Sequence, residues 1–227
     1  MNEDNERPAE GSRRELPIEG EHAISNLATY HMLTSLVVPR PIAWISTTSS
    51  QGVDNLAPHS FFTVACRNPP IVQFTSVGYN DTIKNIVDTN EFVINSSPAS
   101  LFEKINSTGT DYPRFMSEFD EVGLGREASK TVRVPRVAES PSAIECRLNR
   151  IVKLGDSWVV MGDVLHISVR EDVLEIKGER VHPLIERLAP LARLGRNEWG
   201  ETTSVRSIER IPFERPTAPA HGKMGAF

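Results

Sequence analysis

Cysteine is scarce in this chain, with two among 227 residues, Cys66 and Cys146. They stand far apart in apolar, strand-like surroundings. They therefore read as two reduced, buried thiols, and a single disulfide is the other arrangement the count allows. Neither C-x-x-C nor H-E-x-x-H occurs, and the six histidines (His22, His31, His59, His166, His182, His221) fall at no ligand spacing. The expectation is that there is no metal site. No G-x-G-x-x-G follows a strand, so a dinucleotide has no Rossmann unit to bind. There is no apolar run of 18 residues or more, and the first residues, MNEDNERPAEGSRRELP, lack an apolar signal core. A cytoplasmic protein with no membrane partner is expected. Net charge is −5 and the isoelectric point is about 5.7. With no basic excess, nucleic acid is not an expected partner either.

What is present suits a globular domain with a real core: 39% hydrophobic and 24% charged residues. Residues 1–20 read as a flexible polar tail, 21–200 as one domain, and 201–227 as an extended tail carrying Pro212, Pro216 and Pro219. Ile24 to Leu36 reads as a short helix that stops before Pro39 and Pro41. Strands are expected at Ile42–Thr48, Ser60–Ala65, Ile71–Val77 and Glu91–Asn95. Asp81 reads as the N-cap of a short helix whose Ile83, Ile86 and Val87 share one face. A further helix is expected over Ala99–Ile105, with Leu101, Phe102 and Ile105 turned inward. Residues 109–122 are irregular and acidic, either a surface excursion or a lid over a pocket. Ser142–Leu154 and Trp158–Val169 form the clearest hairpin, joined at Gly155-Asp156, with Ile144, Cys146 and Leu148 inside and Glu145, Arg147 and Asn149 outside. Residues 179–194 read as helical only in part, because Pro183 and Pro190 interrupt them. The pattern gives a mostly β fold with short helices, as an antiparallel barrel.

The densest signal is PRPIAWISTTSSQGVDNLAPHS, from Pro39 to Ser60. It is a buried strand, a row of hydroxyls (Ser46, Thr47, Thr48, Ser49), a turn, and a second strand opening on Asn55-Leu56-Ala57. Two readings fit: a hairpin whose Ser and Thr residues face water, or a cradle for a flat, polar-edged, phosphate-bearing cofactor. The N-terminus of the helix after Asp81 would suit the phosphate through its free N–H groups and dipole. Thr82 and Asn85 would be side-chain donors there, and Lys84 a charge.

The ordered fragments PRPIAWIST, GVDNLAPHSFF, NPPIVQFT, NDTIKNI, EFVIN and PLARLG, spanning about Leu33 to Trp199, resemble the flavin reductase-like family of FMN-binding split barrels. That family includes the reductase components of two-component flavin monooxygenases and the flavoredoxins. The resemblance implies an FMN-binding split β-barrel, homodimeric, with FMN near the subunit interface and NADH or NADPH as co-substrate. Hydride would pass from nicotinamide to flavin N5, and a partner monooxygenase would receive the reduced flavin. A flavoredoxin-like electron carrier, or a flavin-binding protein without reductase activity, is the alternative. For the ring, the matching motifs imply Ser46, Thr47 and Thr48 and the backbone of Asn55, Leu56 and Ala57, with Ser60 and Ser76 nearby. For the phosphate they imply Thr82 and Asn85. Trp44 reads as either a wall of the ring slot or core, and one of Phe61 and Phe62 as approaching the cofactor. Arg193 reads as a ligand of flavin phosphate or of a dinucleotide, or as one half of a salt bridge. Trp199 would cover the flavin, and His59 and His166 are candidate donors. The sequence departs from the family at Asn80, where a basic residue is usual, and at Arg196, where a second glycine is common.

Overall fold

The computed structural model describes residues 11–202 and 204–211. Seven strands form one antiparallel sheet: β1 (Ala43–Thr48), β2 (Asp54–His59), β3 (Phe61–Cys66), β4 (Ile71–Val77), β5 (Glu91–Asn95), β6 (Ser142–Leu154) and β7 (Ser157–Val169). Their order across the sheet is β2-β1-β5-β6-β7-β4-β3. The sheet curls into a split barrel whose two edges, β2 and β3, are consecutive in the chain. The β6–β7 hairpin turns on Gly155 and Asp156, with Gly155 at φ +59°, as a two-residue turn between twisted strands requires. Bulges at Met161/Gly162 and Val164/His166 bend the hairpin. A β-carbon added at Gly162 would lie 2.3 Å from the Phe92 ring. Glycine here lets the bent strand close onto the ring that fills the curl.

Strand β1 is buried on both faces because its alternate side chains enter two different cores. Ala43 and Ile45 pack with Phe74, Phe92, Val160 and the inner face of α2 (Asp81–Thr89), which supplies Ile83 and Ile86. Ile42 and Trp44 pack instead with Leu56, Ile105, Phe119 and Leu191. Helix α1 (Asn26–Leu36) lies outside both, capped by Ser25 and exposing Leu27, Leu33 and Leu36.

Several local expectations are corrected. The N-cap of α2 is Asn80, whose Oδ1 accepts the Ile83 N–H, so Asp81 is the first helical residue. An amide accepts this bond as well as a carboxylate does. The segment after Pro98 is a 3₁₀ turn over Ala99–Leu101 followed by α3 (Phe102–Ser107). Ile105 is buried there, while Phe102 is 41% exposed and packs edge-on against Trp199. Within 109–122, residues 118–121 form α4 (Glu118–Glu121), which buries Glu118 and Phe119. Glu145, read as outward-facing, is fully buried. Its carboxylate accepts the N–H groups of Lys130 and Thr131 and the Thr131 hydroxyl, so the overlying loop meets its hydrogen bonds.

The region 170–201 holds more structure than its prolines suggested. Leu174–Lys177 pairs with Arg180–Pro183, α5 spans Ile185–Leu188, and Leu191–Arg193 is the middle strand between Arg40–Pro41 and Trp199–Glu201. Pro183 ends its strand and Pro190 precedes one, positions that need no ladder N–H. The proline-bearing stretch 212–227 and residues 1–10 lie outside the described residues.

Candidate cofactor site

Edge strand β2 has no neighbouring strand on its outer side, and the N-terminus of α2 comes to rest against it. Three side-chain amides fix this junction. Asn55 Nδ2 donates to Thr82 Oγ1 at 3.1 Å, Asn85 Nδ2 to Thr47 Oγ1 at 3.0 Å, and Asn80 Nδ2 to Ser76 Oγ at 2.9 Å. The first-turn N–H groups of Asp81 and Thr82 precede any intrahelical acceptor. In front of them opens a cleft of about 310 Å³, walled by Asn55, Ala57 and Ser60, by Thr75 and Ser76 of β4, and across from these by residues 108–112.

Its charge is one-sided. Asp81, Asp111 and Glu118 line it and no lysine or arginine does. Glu118 is 7% exposed, and its Oε2 accepts the Leu56 N–H at 2.8 Å. Burial pushes its carboxyl above the usual carboxylate range, against the pull of that hydrogen bond. Lys84 and Arg114 stand just outside, 3.2 and 3.8 Å from the Asp81 carboxylate, and Arg114 also approaches Asp88 at 4.0 Å. Arg114 thus tethers the irregular loop to α2. In the inner wall, His59 is 8% exposed and packs tilted against Phe74, ring centroids 5.0 Å apart, and its Nε2 has no hydrogen-bond partner. Burial lowers its pKa from 6.5 to about 4, so the imidazole is neutral at pH 7.

A second cleft, about 660 Å³, shares Pro58, Ser60 and Gly109 with the first. Its own walls are Phe102, Asn106, Arg193, Asn197 and Trp199, with Ile42 at the base. The Arg193 guanidinium lies 4.7 Å over the Trp199 ring, and its Nη2 donates to the Arg196 carbonyl. Arg193 is in register with Arg40. Arg40 is 7% exposed, and its guanidinium donates to the carbonyls of Thr34, Val37 and Leu194 and to Ser60 Oγ. Burial and the nearby Arg193 both weaken its hold on its proton. Among the described residues, neither arginine pairs with a carboxylate.

Of the residues named from the sequence, the first cleft brings together Asn55, Ala57, His59, Ser60, Phe61, Ser76 and Thr82, and the second holds Arg193 and Trp199. His166 lines neither cleft, and the remaining named residues lie behind these walls. Trp44 is fully buried and its Nε1 donates to Thr108 Oγ1 at 2.9 Å; Ser46 donates to the Pro135 carbonyl; Thr48 donates to Asp54. Thr47 and Asn85 bond each other, and the Leu56 side chain is core. Glu118, Thr75, Asp111 and Tyr30 of α1 line the first cleft without having been singled out. Only Glu118 and Asp111 carried a signal, the acidity of their segment.

This fold and cleft define the class: the chain belongs to the flavin reductase-like family, whose domain matches residues 34–185. A similar chain is an uncharacterized protein of Aquifex aeolicus, 39% identical over 171 residues, covering 73% of this chain and 86% of its own length. Among solved structures, nitrilotriacetate monooxygenase component B from Bacillus cereus superposes with a TM-score of 0.78 at 28% identity, covering 87% of this chain and all of that one. The 2-nitrobenzoate 2-nitroreductase NbaA of Pseudomonas fluorescens gives 0.76 at 30% identity, over 86% of this chain and 96% of that one. No helix among the described residues is long and apolar enough to cross a membrane.

Proposed function

We propose that the protein is an FMN-dependent NAD(P)H oxidoreductase, a cytoplasmic flavin reductase that supplies reduced flavin to a partner monooxygenase. The observation that carries this reading is the first cleft, where hydroxyls and amides from β2, β4 and α2 converge on unpaired helix N–H groups. The donor set fits FMN: a flat approach beside Ala57, polar groups for the ring edge and ribityl chain, N–H groups for phosphate, and the unmet Nε2 of His59 in the wall. Membership of the family and the likeness to a monooxygenase component B support it.

FMN bound there supplies the hydride-accepting chemistry, so no side chain need serve as nucleophile. Ala57 leaves room for the ring to lie against β2. Asn55, Ser60, Thr75 and Ser76 would hydrogen-bond its polar edge and side chain. The Asp81 and Thr82 N–H groups would hold the phosphate, with Lys84 and Arg114, now beside the Asp81 carboxylate, as the nearby positive charge. Neutral His59 offers a nitrogen without adding charge. NADH or NADPH would be the hydride donor, and the chain would contribute orientation and exclusion of water. The apolar face of α1, with exposed Leu33, Leu36 and Val37 beside a groove floored by Phe61 and Phe62, supports a homodimer.

An anaerobic visible spectrum of the protein with FMN, before and after NADH and then NADPH, tests this. Perturbed flavin bands that bleach within mixing are expected. Perturbed bands that persist would make the protein an electron carrier of the flavoredoxin kind, and unperturbed bands would leave a barrel without its cofactor.

A further inference from the structure

The two clefts differ in charge in a way the flavin alone does not require. The second has room for more than water, and no carboxylate lines it. Its cation, Arg193, is held over Trp199, with the buried charge of Arg40 in register behind it. Phe102 meets Trp199 edge-on at 5.1 Å, making an aromatic corner, and Asn106 and Asn197 add amide donors and acceptors. A guanidinium fork matches phosphate oxygens, and an aromatic corner beside it matches a purine. The cleft meets the flavin cleft at Pro58, Ser60 and Gly109, so a ligand lying in it reaches the first cleft over a continuous rim.

Resting on the NAD(P)H reading above, we infer that this second cleft binds the adenosine diphosphate half of the reduced dinucleotide. Arg193 is on the diphosphate and the Trp199–Phe102 corner against the adenine, and the nicotinamide reaches over Ser60 to the flavin. Arg193 is then a residue of dinucleotide affinity, not of FMN affinity.

The probe is ADP-ribose, which carries the adenosine diphosphate and no nicotinamide, titrated calorimetrically into the FMN-loaded protein. The wild type should bind it, and Arg193→Gln should weaken it by about tenfold or more, as loss of a charged hydrogen bond implies. Arg193→Lys, which keeps the charge but not the fork, should fall between. The FMN dissociation constant of Arg193→Gln, measured by fluorescence quenching, should stay within about twofold of wild type, and this also reports that the variant is folded. Equal ADP-ribose affinity in the wild type and Arg193→Gln overturns the assignment. So does a loss of FMN binding with ADP-ribose binding kept, which would put Arg193 on the flavin phosphate. If the wild type does not bind ADP-ribose yet NADH or NADPH bleaches its flavin, only this inference fails. If neither bleaches the flavin, the reductase reading fails with it.

Discussion

The two clefts are separated by little more than Pro58, Ser60 and Gly109, yet they are built in opposite ways. The first is polar and acidic, lined by Asp81, Asp111 and Glu118, with its cations held outside the wall. The second is aromatic and basic, with Arg193 over Trp199. A single anionic ligand would be served best by the second, and a ligand held mainly through hydroxyls and helix N–H groups by the first. The contrast sets a polar cleft at a helix N-terminus beside an aromatic, basic one, across a rim of three residues.

The comparison is open to tests of decreasing size. The largest concerns the wall of the first cleft. The native fold keeps His59 neutral with a pKa of about 4, whereas in the unfolded chain it protonates near 6.5. Stability from this group is complete above about 6.5 and falls as pH drops toward 4, by about 3 kcal/mol. A His59→Phe variant, which keeps a ring against Phe74, should show a flatter melting temperature between those pH values. Wild-type and variant profiles of the same slope would mean that His59 is hydrated in solution.

Next is Ala57→Trp, which puts bulk where the flavin ring is proposed to lie. It should weaken FMN binding by about 2 kcal/mol or more while leaving ADP-ribose binding in the second cleft intact. Full FMN occupancy in that variant would move the ring elsewhere. Thr82→Val should cost about 1 kcal/mol of FMN affinity if the hydroxyl meets the phosphate. Riboflavin, which lacks the phosphate, should bind the two proteins alike. The smallest effect belongs to Asp111→Asn. Removing this exposed carboxylate should tighten FMN by about twofold at low salt and riboflavin not at all. An equal change for both flavins would mean that Asp111 acts through the loop and not through charge.

How far the sequence could be read follows from what each signal measures. The β6–β7 hairpin was legible almost to the residue, because alternation and a Gly-Asp turn are local properties. Glu145 was misread for the same reason. Alternation places a side chain on a face, but whether a loop covers that face is decided by residues 128–137, far from it along the strand pattern. Asn80 and Asp81 are both good caps, and only the backbone distinguishes them. The predicted residues that meet in the first cleft sit on three segments joined by side-chain amides, and family motifs pointed to those segments before any geometry did. The register of Arg40 with Arg193 spans most of the chain and has no local signature, so the PLARLG match pointed to Arg193 but nothing pointed to the buried arginine beside it.

Arg40 carries one more consequence, for the order in which the molecule is made. Its buried guanidinium takes acceptors from Thr34 and Val37 on one side and from Leu194 on the other, while also reaching Ser60 on the shared rim. A chain stopped before Arg193 leaves the Arg40 guanidinium short of the Leu194 carbonyl, an acceptor it needs when buried. The same chain lacks Arg193, Asn197 and Trp199, so the second cleft is complete only once this late stretch has been made.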